Sequence, residues 1–118
     1  MGAILKAGTN FPLAVKFEDD HFSDIAEIEF IFKQTRRGEA IKTALWSRDG
    51  ESHDAALAPD TTIVNVYFTQ EDTFRFVQDS DFYMDTRIHY ADTNENPHTP
   101  ILKLRMDPTL FEPDGEGA

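Results

Sequence analysis

The sequence contains no cysteine, which excludes disulfide bonds, thiolate zinc sites and cysteine nucleophiles. It also has no apolar run as long as a membrane-spanning helix requires, and its N-terminal residues lack the features of a signal peptide. Basic residues are scarce, with 11 lysines and arginines against 22 aspartates and glutamates, a formal net charge of -11. Because such a charge repels phosphates, we expect neither nucleic acid nor membranes as partners.

Aromatic residues are abundant, with ten phenylalanines, three tyrosines and one tryptophan. Their apolar area can support a hydrophobic core, so the high acidic content does not indicate disorder. A chain of 118 residues fits one domain. We therefore predict a single domain over residues 1–111 and a flexible acidic tail at 112–118, in a protein made in a reducing cytoplasm.

Five segments alternate between apolar and polar residues, as strands with one buried face do. These segments cover residues 27–34, 40–46, 62–68, 82–90 and 101–106, and shorter extended segments lie at 4–6 and 13–17. Residues 47–60 are rich in turn-forming side chains, so we expect an irregular crossing there. The pattern predicts an all-β fold, an antiparallel immunoglobulin-like β-sandwich of about seven strands, with a small open barrel as the alternative.

The strand pattern ends at Thr69, where a helix-start signal follows. Thr69 and Asp72 occupy the first and fourth positions of a capping box, in which each side chain accepts a hydrogen bond from the backbone of the other residue. Asp72 replaces the usual Glu or Gln, and its negative charge also suits a helix N-terminus. We expect Thr69 and Asp72 to cap one short helical turn near residues 70–77.

Several short sequences, taken in order, resemble a family of small prophage proteins. They are FIFKQ at residues 30–34, FTQEDTFRF at 68–76, the hairpin sequence DTRIHYADTN and the final strand ILKLRM. The family is encoded among tail and baseplate genes of phages of Gram-positive bacteria. Its fold is similar to the immunoglobulin-like N-terminal domain of phage baseplate upper proteins. The resemblance covers most of the chain, from Phe11 to Met106.

The resemblance implies a structural or docking module of a phage tail or baseplate that acts through protein–protein contacts and is not an enzyme. Its partners would be other phage structural proteins or further copies of the chain, in a homo-oligomer. The protein would be made in the host cytoplasm and then incorporated into the virion. The resemblance implies no catalytic residue.

Three groups of side chains are candidates for chemical centres. Asp49, Glu51, His53 and Asp60 faintly resemble a calcium loop, but the glycine falls at the second position of that loop and not at the sixth. Glu18, Asp19, Asp20 and His21 carry side chains that could bind a divalent ion, but adjacent acidic residues on a connection are more typically solvated. Serines and histidines occur without a GxSxG motif. We predict no metal, no cofactor and no catalytic site.

The outward faces of the strands carry the candidate interaction surface. It consists of Ile31, Trp46, Tyr83, Arg87 and His89. If Trp46 and Tyr83 lie beside His89, their rings form a platform for host cell-surface glycans, which makes a carbohydrate-binding module the alternative function. The interpretation of Trp46 that the sequence favours is core packing, as is common in sandwiches. A third hypothesis is an acidic mimic of DNA that inhibits a basic protein.

Overall fold

The computed structural model describes residues 4–18, 21–92 and 99–111. Within them the chain forms eight strands, one α-helix and a single 3₁₀ turn at Phe22–Asp24. The strands are β1 (Ile4–Lys6), β2 (Phe11–Lys16), β3 (Ile25–Lys33), β4 (Ala40–Ser47), β5 (Ala55–Leu57), β6 (Ile63–Phe68), β7 (Ser80–Tyr90) and β8 (Leu102–Asp107), and the helix α1 spans Gln70–Phe74. The predicted positions of the longer strands and of the short helical turn are confirmed.

The strands form two sheets with a sandwich-like arrangement, which confirms the all-β prediction. One sheet has the order β1-β8-β7-β3-β4 and the other the order β2-β6-β5. The expectation of a wholly antiparallel fold was wrong for one pair, because β1 runs parallel to β8. This pairing places Leu5 beside Met106, and both side chains are fully buried, so burial at the sheet edge favours it.

The chain changes sheets between β1 and β2, so these two strands lie in different sheets and do not pair. Gly8 in the connecting turn has a φ of 78°, a conformation that glycine adopts without strain. The backbone N–H groups of Gly8 and Thr9 donate to Oγ1 of Thr73 at 3.0 and 3.2 Å. The buried hydroxyl of Thr73 therefore fixes the crossover to α1.

Alternation along the strands fills the space between the sheets. In β3 the side chains of Ile28, Phe30 and Phe32 are all buried, as predicted. Phe32 meets Phe68 of the facing sheet with ring centroids 4.9 Å apart in an edge-to-face arrangement. An aromatic pair of this kind contributes about 0.5–1.5 kcal/mol beyond the burial of its area.

The capping box predicted at the start of α1 is formed. Oγ1 of Thr69 accepts from the backbone N–H of Asp72 at 3.1 Å, and Oδ2 of Asp72 accepts from the backbone N–H of Thr69 at 2.9 Å. Two backbone donors that the first helical turn leaves unpaired are thereby satisfied. The shorter side chain of aspartate therefore reaches the backbone N–H of Thr69 and completes the capping box, as glutamate usually does.

Three details differ from the sequence prediction or lie outside the described residues. Residues 47–60, which were expected to form an irregular crossing, include the short strand β5, which pairs with β6. The sequence does not indicate this strand because alternation over three residues is too brief to recognise. Alternation with Leu104 and Met106 predicts that Leu102 faces the core, but Leu102 is 44% exposed because β8 begins there, at the end of its pairing with β7. The tail predicted at 112–118 lies outside the described residues. None of the helices in the described part of the chain is long and apolar enough to cross a membrane.

Candidate functional site

The outer face of the five-stranded sheet brings together most of the candidate interaction surface. In the register of β4, β3 and β7, Ile31 lies between Thr43 and Asp85. Two residues earlier in β3, on the same face, Glu29 lies between Leu45 and Arg87. Ile31, Glu29 and Leu45 are half-buried although they point away from the core. The face is therefore partly enclosed and not flat.

Two adjoining hollows form a groove across this face. The larger has a volume of about 670 Å³ and the smaller about 250 Å³. Both are lined by Ile31, Asp85, Arg87 and Ile101. We call this combined depression the outer groove. The side chain of Ile31 forms an aliphatic floor. Ile101, which is 42% exposed, forms one wall.

The loop between β4 and β5 forms the opposite wall of the outer groove. The backbones of Leu45 and His53 exchange two hydrogen bonds of 2.8 Å, so the loop folds back along β4. His53 consequently lines the larger hollow. His53, one of the residues of the calcium-loop pattern, thus shapes this surface.

Charged side chains surround the aliphatic floor. Oε2 of Glu29 lies 2.7 Å from Nε2 of His89 and 3.7 Å from a guanidinium nitrogen of Arg87. The guanidinium of Arg36 lies over the ring of Tyr83, 5.4 Å from its centroid, a cation–π contact. The outer groove therefore combines an aliphatic strip with ordered charges at its rim.

Four of the five predicted surface residues lie on this face, namely Ile31, Tyr83, Arg87 and His89. The prediction was wrong for Trp46, which is only 5% exposed. Trp46 pairs with Ile28 in the strand register and so points into the core, one residue out of phase with the outer face. Its ring stacks on Phe22 at 5.9 Å. No aromatic platform joins Trp46 to Tyr83, and the core-packing interpretation is confirmed.

Strand alternation alone could not identify the other residues of the outer groove. Alternation predicts outward-facing positions for Glu29, Lys33 and Asp85, but it does not show which strands are neighbours. Lys33 and Arg36 line the smaller hollow, and Arg36 lies in the turn between β3 and β4, where alternation does not apply. Only the register between β3, β4 and β7 shows that these residues are neighbours.

A second charged cluster, which the sequence did not suggest, lies at the end of the sandwich beside α1. Nζ of Lys42 is 2.9 Å from Oδ2 of Asp72 and 3.2 Å from Oδ2 of Asp54, and it lies 5.2 Å from the ring centroid of Phe68. The lysine side chain is 3% exposed. In the sequence, its burial is indicated by its position two residues before Ala44, on the same face of β4. We call these three charged residues the Lys42 cluster.

Hydrogen bonding lowers the pKa of Asp72 in the Lys42 cluster. Burial raises the pKa of Asp72, but hydrogen bonds from the backbone of Thr69 and from Lys42, together with the positive charge of Lys42, more than offset this, so the pKa of Asp72 lies below its ordinary value. The ionised carboxylate of Asp72 accepts hydrogen bonds from both Lys42 and the backbone N–H of Thr69. Asp72 and Lys42 therefore form an ion pair, and the lowered pKa of Asp72 does not suit a general base that works near neutral pH.

Ser47 and Ser52 are engaged in local structure. The hydroxyl of Ser52 accepts from the backbone N–H of Ser47 at 3.0 Å and donates to the carbonyl oxygen of Ser47 at 3.2 Å. In the described ranges, no group of three or more histidine, aspartate or glutamate side chains is arranged to hold a metal ion. Asp19 and Asp20 of the acidic connection lie outside those ranges.

Comparison with known proteins adds no identification. No known family matches the sequence, and no curated protein is significantly similar to it. The function is therefore argued from the outer groove.

Proposed function

We propose that the protein is a non-enzymatic docking module that binds another protein through the outer groove. The observation that carries this proposal is the half-buried Ile31 at the floor of a depression with Ile101 exposed beside it. Apolar side chains grouped in a concave, charge-rimmed surface are typical of recognition sites. The charged rim would fix the orientation of the bound partner.

The proposal extends to a structural role in a phage tail or baseplate. This part is supported by the resemblance of residues 30–34 and 68–76 to the prophage family. In that role the chain is made in the host cytoplasm and incorporated into the virion, where it contacts other tail proteins or further copies of itself.

The strand order supports an immunoglobulin-like assignment. In immunoglobulin domains of the variable type, one sheet contains the neighbouring strands G, F, C and C′, and the other contains B, E and D. If β2 to β8 are lettered B, C, C′, D, E, F and G, the observed orders β8-β7-β3-β4 and β2-β6-β5 correspond to these two sheets. The outer groove then lies on the outer face of the G-F-C-C′ sheet.

Incorporation into phage particles tests the proposal. The tagged chain would be expressed in a host whose prophage lacks its own copy, and particles would be purified after induction. We expect the wild-type chain in the particles and its loss with Ile101→Glu, because a buried carboxylate in the contact is unfavourable. Val77→Glu is the matched control, since Val77 is also an exposed aliphatic residue but does not line the outer groove.

The outcome is read by mass spectrometry of the particles, with thermal unfolding of each variant as a check on folding. Absence of the wild-type chain from the particles would overturn the phage role. Equal incorporation of Ile101→Glu and Val77→Glu would overturn the role of the outer groove. Tryptophan emission that is unchanged by cell-wall glycans would add evidence against the carbohydrate alternative, which the burial of Trp46 already weakens.

A further inference from the structure

The smaller hollow of the outer groove is basic although the chain is strongly acidic. Its lining includes the three cations Lys33, Arg36 and Arg87 and one carboxylate, Asp85. The chain as a whole has a formal net charge of -11. The positive charge of this hollow is therefore opposite in sign to the net charge of the chain.

The cations of this hollow are incompletely neutralised. Among the described residues, neither Lys33 nor Arg36 has a carboxylate within ion-pair distance, and Arg87 has only Glu29, at 3.7 Å. Asp85 accepts a hydrogen bond from the backbone N–H of Thr86 at 2.9 Å. The two cations thus retain donors that face solvent.

Tyr83 orders part of this positive surface. The guanidinium of Arg36 lies 5.4 Å from the centroid of the Tyr83 ring. A guanidinium that stacks on an aromatic ring keeps its N–H groups available around its edge, and these donors fit a carboxylate well. Arg36 therefore loses less side-chain freedom on binding an anion than an unsupported arginine would.

We propose that the outer groove binds an acidic peptide segment of a partner protein, with a carboxylate in the basic hollow and an aliphatic side chain against Ile31 and Ile101. This inference rests on the proposed docking function and gives its recognition chemistry. Arginine and lysine form strong, charge-assisted hydrogen bonds with carboxylates. The adjoining larger hollow accommodates the neighbouring residues of an extended segment.

A peptide fits the surface better than a nucleic acid does. The hollow presents only a few cations beside an aliphatic floor, whereas a nucleic acid requires a longer basic track. The overall negative field of the chain also opposes a polyanion. A peptide with one or two carboxylates gains the local attraction and places its apolar side chains on Ile31.

Amide chemical shifts of the full ¹⁵N-labelled chain test this inference. The probe is the capped peptide acetyl-Gly-Leu-Glu-Ser-Glu-Leu-Gly-amide, and the control peptide has Gln in place of both Glu residues. We expect the acidic peptide to shift the amides of Ile31, Lys33, Arg36, Tyr83 and Arg87. The Gln peptide should bind at least roughly fivefold more weakly, because it lacks the charge-assisted bonds.

Charge variants sharpen the test. Arg36→Gln and Lys33→Gln should each weaken binding by roughly three- to tenfold, and added salt should weaken binding to the wild-type chain. Lys16→Gln is the matched control, because Lys16 is an exposed lysine on the other sheet. All three positions lie on the surface, so the variants should fold.

Four outcomes would overturn the inference. They are no shift at millimolar peptide, equal binding of the Gln peptide, shifts of the same size with inorganic phosphate alone, and concentration-dependent shifts of the same amides in the absence of peptide. The last outcome would assign the outer groove to a second copy of the chain. If particle incorporation still depends on Ile101, any of these results leaves the proposed docking function intact and rejects only the acidic peptide.

Discussion

The Nζ atom of Lys42 lies 2.9 Å from Oδ2 of Asp72, and this contact joins the core face of β4 to the cap of α1. The same carboxylate oxygen accepts from the backbone N–H of Thr69. One oxygen atom thus serves both a helix cap and a buried cation. Asp72 is therefore the residue that the helix cap and the buried ion pair share.

Removal of Asp72 should cost more than removal of Lys42. Asp72→Ala leaves a 3% exposed lysine with Asp54 as its remaining carboxylate and also removes the cap, so we expect a loss of about 2–4 kcal/mol in the free energy of unfolding. Lys42→Met keeps the apolar stem and leaves Asp72 its bond to Thr69, so we expect about 1 kcal/mol. Urea unfolding at neutral pH measures both. A larger loss for Lys42→Met would contradict this account.

Acid should weaken the same contact. The pKa of Asp72 is lowered in the folded protein from its ordinary value of 3.8, so its stabilising contribution is complete above that pH and is lost as the pH falls through the lower folded value. Asp72→Asn cannot ionise. The stability difference between wild type and Asp72→Asn should therefore shrink below about pH 4, measured by urea unfolding from pH 6 to pH 2.5. A constant difference over this range would show that the charge of Asp72 does not matter.

The strand pattern of the sequence was sufficient for the all-β fold, since alternation over β3 and β7 is long and regular. It did not reveal the parallel β1–β8 pair, because three residues carry no information about direction. The face on which Ile31 lies could also be predicted. Trp46 was included in the candidate surface because a tryptophan is compatible with either face, but core packing was the favoured interpretation, and its even spacing from Ala44 and Lys42 agrees with it.

The charged contacts could not be predicted for a different reason. Lys42 and Asp72 are thirty residues apart, and their meeting depends on where α1 docks against the sandwich. A lysine at a core-facing position interrupts the alternation of apolar and polar residues, and the sequence does not show which carboxylates pair with it. The basic hollow around Tyr83 likewise depends on the register between β3 and β7, which alternation leaves open.

Thr73 should be essential to the crossover between the sheets. Its hydroxyl is fully buried and accepts from the backbone N–H groups of Gly8 and Thr9. Thr73→Val preserves the shape but leaves both donors without this partner, so we expect a loss of about 1–3 kcal/mol. Thr43→Val, at an exposed position of β4, is the control and should change stability by less than about 0.5 kcal/mol. Equal effects of the two changes in urea unfolding would contradict the assigned role.

Arg48 should hold the aromatic pair of Phe22 and Trp46 in place. Its guanidinium lies 5.0 Å from the Trp46 ring centroid, and it donates to the carbonyl oxygens of Phe22 and Ile25 at 2.7 and 2.8 Å. Lysine cannot reproduce this planar set of donors, so Arg48→Lys should lower the free energy of unfolding by about 1–2 kcal/mol. Trp46 is the only tryptophan, and a red shift of its emission should accompany the change as water reaches the ring. Arg37→Lys, at an exposed turn position, is the control and should alter neither quantity; a similar red shift there would show that the emission does not report on Arg48.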